Sequence, residues 1–209
     1  HDPSQPHVLM QFGVPGSVAT DVALNRSNNV LAMAVANEMG GGYIRFFDVV
    51  DPELDPPAGF GIISLSGQEL YGMPVDIQWH ENELYVLLNQ DGQLKIAVFS
   101  DLGGQATSEI YTVERGDVNP KVTDRAAMVV GYDRISVSTG SQYLILEKSG
   151  DQYETVYWQS GGPGSEELIP HGGVLFAAGG TGVTDLPAPY FMMAGVTPSN
   201  GADIAQGEP

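Results

Sequence analysis

The hydrophobic residues of this chain fall in many short segments, and each segment is bounded by Gly, Asn, Asp or Pro. Segments of this kind, continuous or alternating with polar residues, are typical of β-strands of about 4–7 residues. The longest helix-like stretch, residues 17–37, is interrupted by the turn-forming run Asn25-Arg26-Ser27-Asn28-Asn29. The pattern therefore predicts an all-β protein.

The predicted strands repeat in groups of four. The groups are 21–24, 29–36, 43–48 and 61–65; then 76–79, 83–88, 93–99 and 109–113; then 127–130, 134–138, 142–147 and 154–158. Asp21 and Asp76 are 55 residues apart, and Phe47 and Phe99 are 52 residues apart. A repeat near 50 residues with four strands per unit is typical of the blades of a β-propeller.

We therefore expect complete blades of four antiparallel strands at residues 17–66, 67–115 and 120–160, and a partial blade at 166–186. Residues 1–13 contain a strand-like segment, 8–12, which we interpret as the outer strand of the split fourth blade. That pairing closes a four-bladed ring without free sheet edges. The alternative is that these blades belong to a larger propeller, since such rings hold about four to eight blades.

Two stretches resemble known families. Asn29-Val-Leu-Ala-Met-Ala-Val-Ala, with Gly42-Tyr-Ile-Arg-Phe-Phe-Asp-Val-Val-Asp-Pro52, resembles the LVIVD-type propeller repeat, to which YVTN- and NHL-type repeats are similar. The resemblance implies a module of a large secreted or cell-surface bacterial protein. Residues 187–209, which include Ala194-Gly-Val-Thr-Pro-Ser-Asn-Gly-Ala202, resemble a linker into a bacterial immunoglobulin-like domain.

The charge of the chain excludes some classes of function. Eight Lys and Arg residues against 26 Asp and Glu residues give a formal net charge of −18. Such a surface repels phosphate backbones and anionic lipids, so we expect no nucleic-acid binding. The absence of cysteine excludes disulfides, cysteine-ligated zinc and a thiol nucleophile. No apolar run reaches about 18 residues, so the sequence predicts no membrane insertion.

Two acidic loops have the composition of cation sites. Asp48, Asp51 and Asp55 place three carboxylates on one loop, and carboxylate oxygens are ligands for calcium. We favour a solvent-facing Asp-Pro turn as the explanation of these residues. The run Asn89-Gln90-Asp91-Gly92 lacks the spacing of a calcium loop and predicts a hairpin turn with positive φ angles.

Other candidate site residues also have ordinary structural explanations. The histidines are His1, His7, His80 and His171; none has metal-ligand spacing, and we expect the last two in turns. Glycine-rich segments at 103–104, 161–164 and 179–182 lack the Lys-Ser/Thr that follows a phosphate-binding loop. Aromatic residues are expected to fill the space between blades; these are Trp79, Trp158, Tyr71, Tyr111 and Tyr157, with Phe191, Met192 and Met193 expected to pack beside the last blade.

Acidic residues recur near the start of the innermost predicted strands, at Asp21, Asp76 and Asp124. A propeller enzyme carries its catalytic groups in this central channel. Because a catalytic site breaks a repeat whereas a structural acid recurs, we expect these residues to be structural. The sequence thus predicts no catalytic, cofactor-binding or metal-ligating residue and no cofactor.

The sequence therefore favours a non-catalytic propeller module of an extracellular or cell-surface bacterial protein. Its partner is expected to be a protein, a glycan or other domains of its parent chain. Three alternatives stay open: a propeller hydrolase or quinoprotein-like enzyme with a channel site, the propeller portion of an Rhs/YD-repeat toxin, and a fragment without a function of its own.

Overall fold

The computed structural model describes residues 16–49, 58–65, 70–100, 107–117, 126–139, 142–150, 152–160, 167–171, 174–179 and 182–185. All regular secondary structure in these ranges is β-strand. The segment 8–12 and the tail 187–209 lie outside the described residues. In the described part of the chain, no helix is long and apolar enough to cross a membrane.

The strands form four antiparallel sheets, here called blades 1–4. Blade 1 contains β1 (Ser17–Asn25), β2 (Val30–Asn37), β3 (Gly42–Asp48) and β4 (Ala58–Ser64). Blade 2 contains β5 (Met73–His80), β6 (Glu83–Gln90), β7 (Gln93–Ser100) and β8 (Thr107–Asp117). Blade 3 contains β9 (Ala127–Val130), β10 (Arg134–Ser138), β11 (Gln142–Ser149) and β12 (Gln152–Ser160). Blade 4 contains β13 (Glu167–His171), β14 (Val174–Gly179) and β15 (Gly182–Asp185).

Within each blade the strands are ordered as they follow along the chain. The first strands of successive blades are neighbours: β1 contacts β5, β5 contacts β9, and β9 contacts β13. The blades therefore lie side by side with their first strands innermost. This arrangement confirms the prediction of an all-β fold built from blades of four antiparallel strands.

Each blade pair is held by apolar side chains from facing sheets, and β6 shows how the sequence achieves this. Leu84, Val86 and Leu88 cluster with residues of blade 1. Tyr85 and Leu87 cluster with residues of blade 3. Because both faces of blade 2 are covered, β6 is a continuous apolar run instead of an alternating one. Burial of each such leucine or valine contributes about 1.5–3 kcal/mol.

The turns occur at residues that tolerate a left-handed backbone conformation. In the hairpin between β6 and β7, Asp91 and Gly92 have φ angles of 53° and 87°. Asn89 Oδ1 accepts a hydrogen bond of 2.9 Å from the Gly92 N–H. Two positive φ angles are required by a two-residue type I′ hairpin. The predicted turn at Asn89–Gly92 is therefore confirmed.

Gly42 lies at a tight contact between blade 1 and blade 2. A Cβ atom at this position would lie 2.6 Å from Pro74 Cδ and would also collide with the Val35 carbonyl oxygen. Pro74 and the Val35 backbone are rigid, so neither can move aside as a flexible side chain would. Gly61 in the same sheet differs, because its nearest contact would be Phe46 Cδ2 at an ordinary 3.6 Å.

We predict that Gly42→Ala destabilises the protein by about 1–3 kcal/mol, because the added methyl overpacks the contact between blades. Thermal or urea unfolding followed by circular dichroism measures this loss. Gly61→Ala is the matched control and should change the free energy of unfolding by no more than about 0.5 kcal/mol. Equal effects of the two substitutions would contradict the proposed close approach.

Candidate functional site

The four innermost strands surround a cavity of about 460 Å³. Its walls include Thr20 and Asp21 of β1, Asp76 and Gln78 of β5, and Leu168 of β13. β-Bulges at Thr20 and at Val75 immediately precede the two aspartates. A bulge breaks the alternation of side chains along a strand and redirects the residues beside it. The repeated bulge therefore gives Asp21 and Asp76 equivalent positions in their strands.

Asp21 joins blade 1 to blade 2. Its Oδ2 atom accepts a hydrogen bond of 2.9 Å from the Ile77 N–H, and its Oδ1 atom accepts one of 2.7 Å from the Val22 N–H. The carboxylate thus bridges the backbone of its own strand and that of the next innermost strand. Hydrogen bonds from backbone N–H groups to a carboxylate are stronger than neutral ones.

Asp76 repeats this role between blade 2 and blade 3, where its Oδ2 atom accepts a hydrogen bond from the Met128 N–H. Burial raises the pKa of Asp76 well above its usual value, and a side-chain hydrogen bond with Asp21 and the charge of that residue raise it further. Hydrogen bonds from Met128 and Ile77 act in the opposite direction. Asp76 therefore retains its proton to a higher pH than an exposed carboxyl group does.

Other side chains extend these connections along the innermost strands. The Val130 N–H donates to Gln78 Oε1 at 2.8 Å, which is a second bond from blade 2 to blade 3. Trp79 Nε1 donates to the Ala23 carbonyl at 3.2 Å, which is a second bond between blades 1 and 2. Asp21, Asp76 and Gln78 of the channel wall therefore each accept a hydrogen bond from the backbone of the next blade.

A second group of titratable residues lies between blades 2 and 3. Glu83 accepts hydrogen bonds from the Tyr85 hydroxyl at 3.2 Å and from Ser100 Oγ at 2.9 Å. The ring of Tyr111 meets that of Tyr153 edge-on, with 4.9 Å between centroids, and its hydroxyl donates to Glu109. Burial raises the pKa values of Tyr85 and Tyr111 above the usual range. The hydroxyl groups of Tyr85 and Tyr111 therefore stay protonated, and the ring contact of Tyr111 with Tyr153 joins blade 2 to blade 3.

The predicted acidic positions have different outcomes. Asp48 is exposed at the end of β3, while Asp51, Asp55 and Asp124 lie outside the described residues. The calcium hypothesis therefore stays untested. The Met128 N–H of blade 3 donates to Asp76, just as the Ile77 N–H of blade 2 donates to Asp21. Ala127 precedes Met128 as Asp76 precedes Ile77, so blade 3 has an alanine at the position of the aspartate. Within the ranges given above, no group of three or more His, Asp or Glu side chains is placed to hold a metal ion.

The expectation for His80 needs a correction. We expected it in a solvated turn, but it is the last residue of β5, partly buried, with its ring edge-on to Tyr85 at 6.3 Å. The reason is that Glu81 and Asn82 alone form the turn, so the strand extends to position 80. His171 similarly ends β13, whereas His1 and His7 lie outside the described residues.

The aromatic residues mostly lie between blades, as expected. Trp79 is 6.4 Å from Phe46 of blade 1, and Tyr157 is 6.2 Å from Tyr143 beside the contact with blade 4. Trp158 is an exception, because 41% of it is exposed on β12. Positions 191–193 lie outside the described residues.

Sequence reasoning missed Gln78 and the Glu83–Tyr85 pair. A polar residue in the otherwise apolar run Asp76-Ile-Gln-Trp was the available signal for Gln78. The Glu83–Tyr85 pair had no comparable signal, because Tyr85 looked like one more apolar position of β6.

Solved structures of similar shape were found. A protein from Lactobacillus plantarum is 17% identical with a TM-score of 0.55, over 80% of this chain and 54% of that chain. The β-propeller domain of Cps50 (Swd1) from Myceliophteria thermophila is 13% identical with a TM-score of 0.48, over 86% of this chain and 56% of that one. The chain thus spans about half the length of the structures it matches.

Antiparallel four-stranded blades whose first strands adjoin around one cavity define a propeller. This chain is a β-propeller. No protein-family model and no curated protein matches its sequence. The propeller is therefore assigned at the level of fold alone.

The raised pKa of Asp76 gives this propeller a pH-dependent stability. The folded-state pKa of Asp76 lies above its unfolded value, so stability is greatest below the unfolded pKa and is lost as the pH rises through the folded pKa. We predict that Asp76→Asn is more stable than the natural protein at pH 7, by on the order of 1 kcal/mol, because a neutral amide avoids both the burial of a charge and repulsion by Asp21. The difference in the free energy of unfolding between Asp76→Asn and the natural protein should decrease as the pH is lowered towards 4.

Thermal melts between pH 4 and pH 8 test this prediction. Glu38→Gln, at the exposed β2–β3 turn, is a control for the loss of one negative charge and should not change the pH dependence. Asp76→Ala leaves the Met128 N–H without its acceptor and should cost about 1–3 kcal/mol at every pH. If the stability of Asp76→Asn relative to the natural chain is lower at pH 7 than at pH 4, the raised pKa of Asp76 is contradicted.

Proposed function

We propose that this chain is a non-catalytic β-propeller module that serves as a scaffold or binding platform in a large exported or cell-surface bacterial protein. The observation that carries the proposal is the use of Asp21 and Asp76. Both carboxyl groups line the channel, where a propeller enzyme holds its catalytic residues, and both are bonded to the backbone of the next blade. A catalytic acid or base needs a lone pair or proton directed at a substrate.

The proposed location rests on resemblance. The LVIVD-type character of residues 29–52 and the immunoglobulin-like entry at 187–209 both occur in bacterial surface proteins. The absence of cysteine is compatible with export. The repeated blades supply a rigid support, and the loops between strands present variable side chains to a partner.

The charge indicates what the partner is like. A net charge of −18 attracts cationic proteins and peptides and repels nucleic acids. Aromatic and acidic residues also suit glycans, which remain the second class of ligand for the same platform. Binding of a cationic partner should weaken as ionic strength rises, because salt screens exposed charges beyond about 8–10 Å at physiological concentrations.

We expect the purified chain to bind members of an array of cationic peptides and glycans through its surface. The test compares the natural chain with Asp76→Asn and with the surface control Glu38→Gln. A platform keeps its ligands in Asp76→Asn as long as circular dichroism shows a folded protein.

Two results would contradict the proposal. Loss of ligand only in a folded Asp76→Asn protein would place binding in the channel. Conversion of any bound ligand, detected by mass spectrometry as a product that Asp76→Asn does not form, would identify the chain as an enzyme.

A further inference from the structure

The contact between blades 2 and 3 contains two glutamates and three tyrosines, here called the Glu–Tyr site: Glu83, Glu109, Tyr85, Tyr111 and Tyr153. The Tyr85 hydroxyl donates a hydrogen bond to Glu83, and the Tyr111 hydroxyl donates one to Glu109. Burial raises the pKa of Tyr111 and the charges of Glu109 and Glu83 raise it further, so both carboxylates lie near this hydroxyl group. The ring of Tyr153, from blade 3, is edge-on to that of Tyr111. Glu109 is exposed, and Glu83 and Tyr153 are only partly buried, so a ligand can reach the site from solvent.

The Glu–Tyr site breaks the repeat of the blades. The second strands β2, β6 and β10 begin at Val30, Glu83 and Arg134, and two positions further on they carry Ala32, Tyr85 and Ser136. An acid followed by a phenol therefore occurs at these positions in blade 2 but not in blades 1 and 3. The channel aspartates that join the blades recur, whereas a group carried by one of these three blades is not required to build a blade.

Blade 3 neutralises a carboxylate at this end of its strands with an arginine. Arg134 pairs with Glu147 of β11, and its Nε and Nη2 atoms donate to one Glu147 oxygen at 3.0 Å and 2.7 Å. In blade 2 the first residue of the second strand is Glu83, and Ser100 Oγ donates to it at 2.9 Å. Among the described residues, no Lys, Arg or His side chain forms an ion pair with Glu83 or Glu109. The described part of blade 2 therefore supplies hydroxyl groups to these carboxylates but no base.

We propose that the Glu–Tyr site binds an arginine side chain of a partner protein. A guanidinium group is planar, carries five N–H donors and forms paired hydrogen bonds with carboxylates. It also stacks on aromatic rings, and Tyr153 is partly exposed at this site. The phenols keep their protons, so they hold the carboxylates in place without neutralising them. Lysine matches such a site only as a point charge.

The inference rests on the proposed function, because it names the place where a cationic partner of the platform binds. The net charge of −18 attracts any cationic protein to the whole surface, and this attraction is not specific for one site. The Glu–Tyr site adds a fixed pair of acceptors beside an aromatic ring. It therefore distinguishes arginine from lysine, whereas net charge alone does not.

Fluorescence anisotropy with a labelled oligo-arginine peptide tests the proposal, with an oligo-lysine peptide of the same length for comparison. The natural chain should bind the arginine peptide more tightly. Glu109→Gln should raise its dissociation constant on the order of tenfold, through loss of charge-assisted hydrogen bonds. Glu154→Gln is the matched control, because it removes the same charge from an exposed position next to Tyr153, on the opposite face of β12. It should change the dissociation constant by less than about twofold.

Lys148 provides a test of the opposite sign. It is exposed on β11 and pairs with Tyr153, so its charge lies on the same face as the site and repels an arginine. Lys148→Gln should therefore lower the dissociation constant of the arginine peptide. Lys95→Gln should lower it less, because Lys95 pairs with Leu88 on the face of blade 2 that contacts blade 1.

Three results would overturn the proposal: equal affinity for the two peptides, equal effects of Glu109→Gln and Glu154→Gln, and equal effects of Lys148→Gln and Lys95→Gln. Each describes attraction to net charge alone and leaves the platform of the proposed function intact. A chain that binds glycans but neither peptide also overturns the arginine site while the platform stands. Circular dichroism of each variant shows that a loss of binding does not come from unfolding.

Discussion

The carboxylate that reaches from one innermost strand to the backbone of the next is the constraint on which this arrangement depends. Among the described residues, no β-ladder joins one blade to another. Apolar burial holds the blades together but is not directional. The bonds from Ile77 to Asp21 and from Met128 to Asp76 fix the position of blade 1 against blade 2 and of blade 2 against blade 3. The bulges at Thr20 and Val75 immediately precede these aspartates, and a bulge redirects the residues beside it.

The strands and turns were predictable because their signals are local. The Asp91-Gly92 turn needs only residues that accept positive φ angles, and the apolar run of β6 needs only two covered faces. The equivalence of the acids at positions 21 and 76 was predictable because they recur at the repeat spacing of the blades. Their partners were not, since the bond from Met128 to Asp76 joins residues about 50 positions apart whose register is set by packing. The roles of Gln78 and of the Glu83–Tyr85 pair were not predicted for the same reason, because they also depend on how the strands pack.

The contact between blades 3 and 4 lacks the aspartate that joins the other blades. Ala127 and Val129 occupy the positions of Asp76 and Gln78, and they cluster with Leu168. The described part of this contact is therefore apolar, whereas the other two contain polar bonds to backbone. Tyr143 is the buried polar exception, and its hydroxyl pairs with Ser136 in its own blade at 3.0 Å. The position of blade 4 against blade 3 therefore depends on how the apolar side chains of this contact fit together.

A raised carboxyl pKa in a cavity is a common sign of an active site, but ion networks that serve the structure raise pKa values too. Asp76 illustrates the difference. Its pKa is raised by burial and by the neighbouring Asp21, and its carboxyl group accepts hydrogen bonds from backbone N–H groups of blades 2 and 3. A substrate could use this carboxyl only by displacing one of those bonds, at a cost of about 1–3 kcal/mol. The bonds that surround this carboxyl are thus the same ones that join the innermost strands of blades 1, 2 and 3.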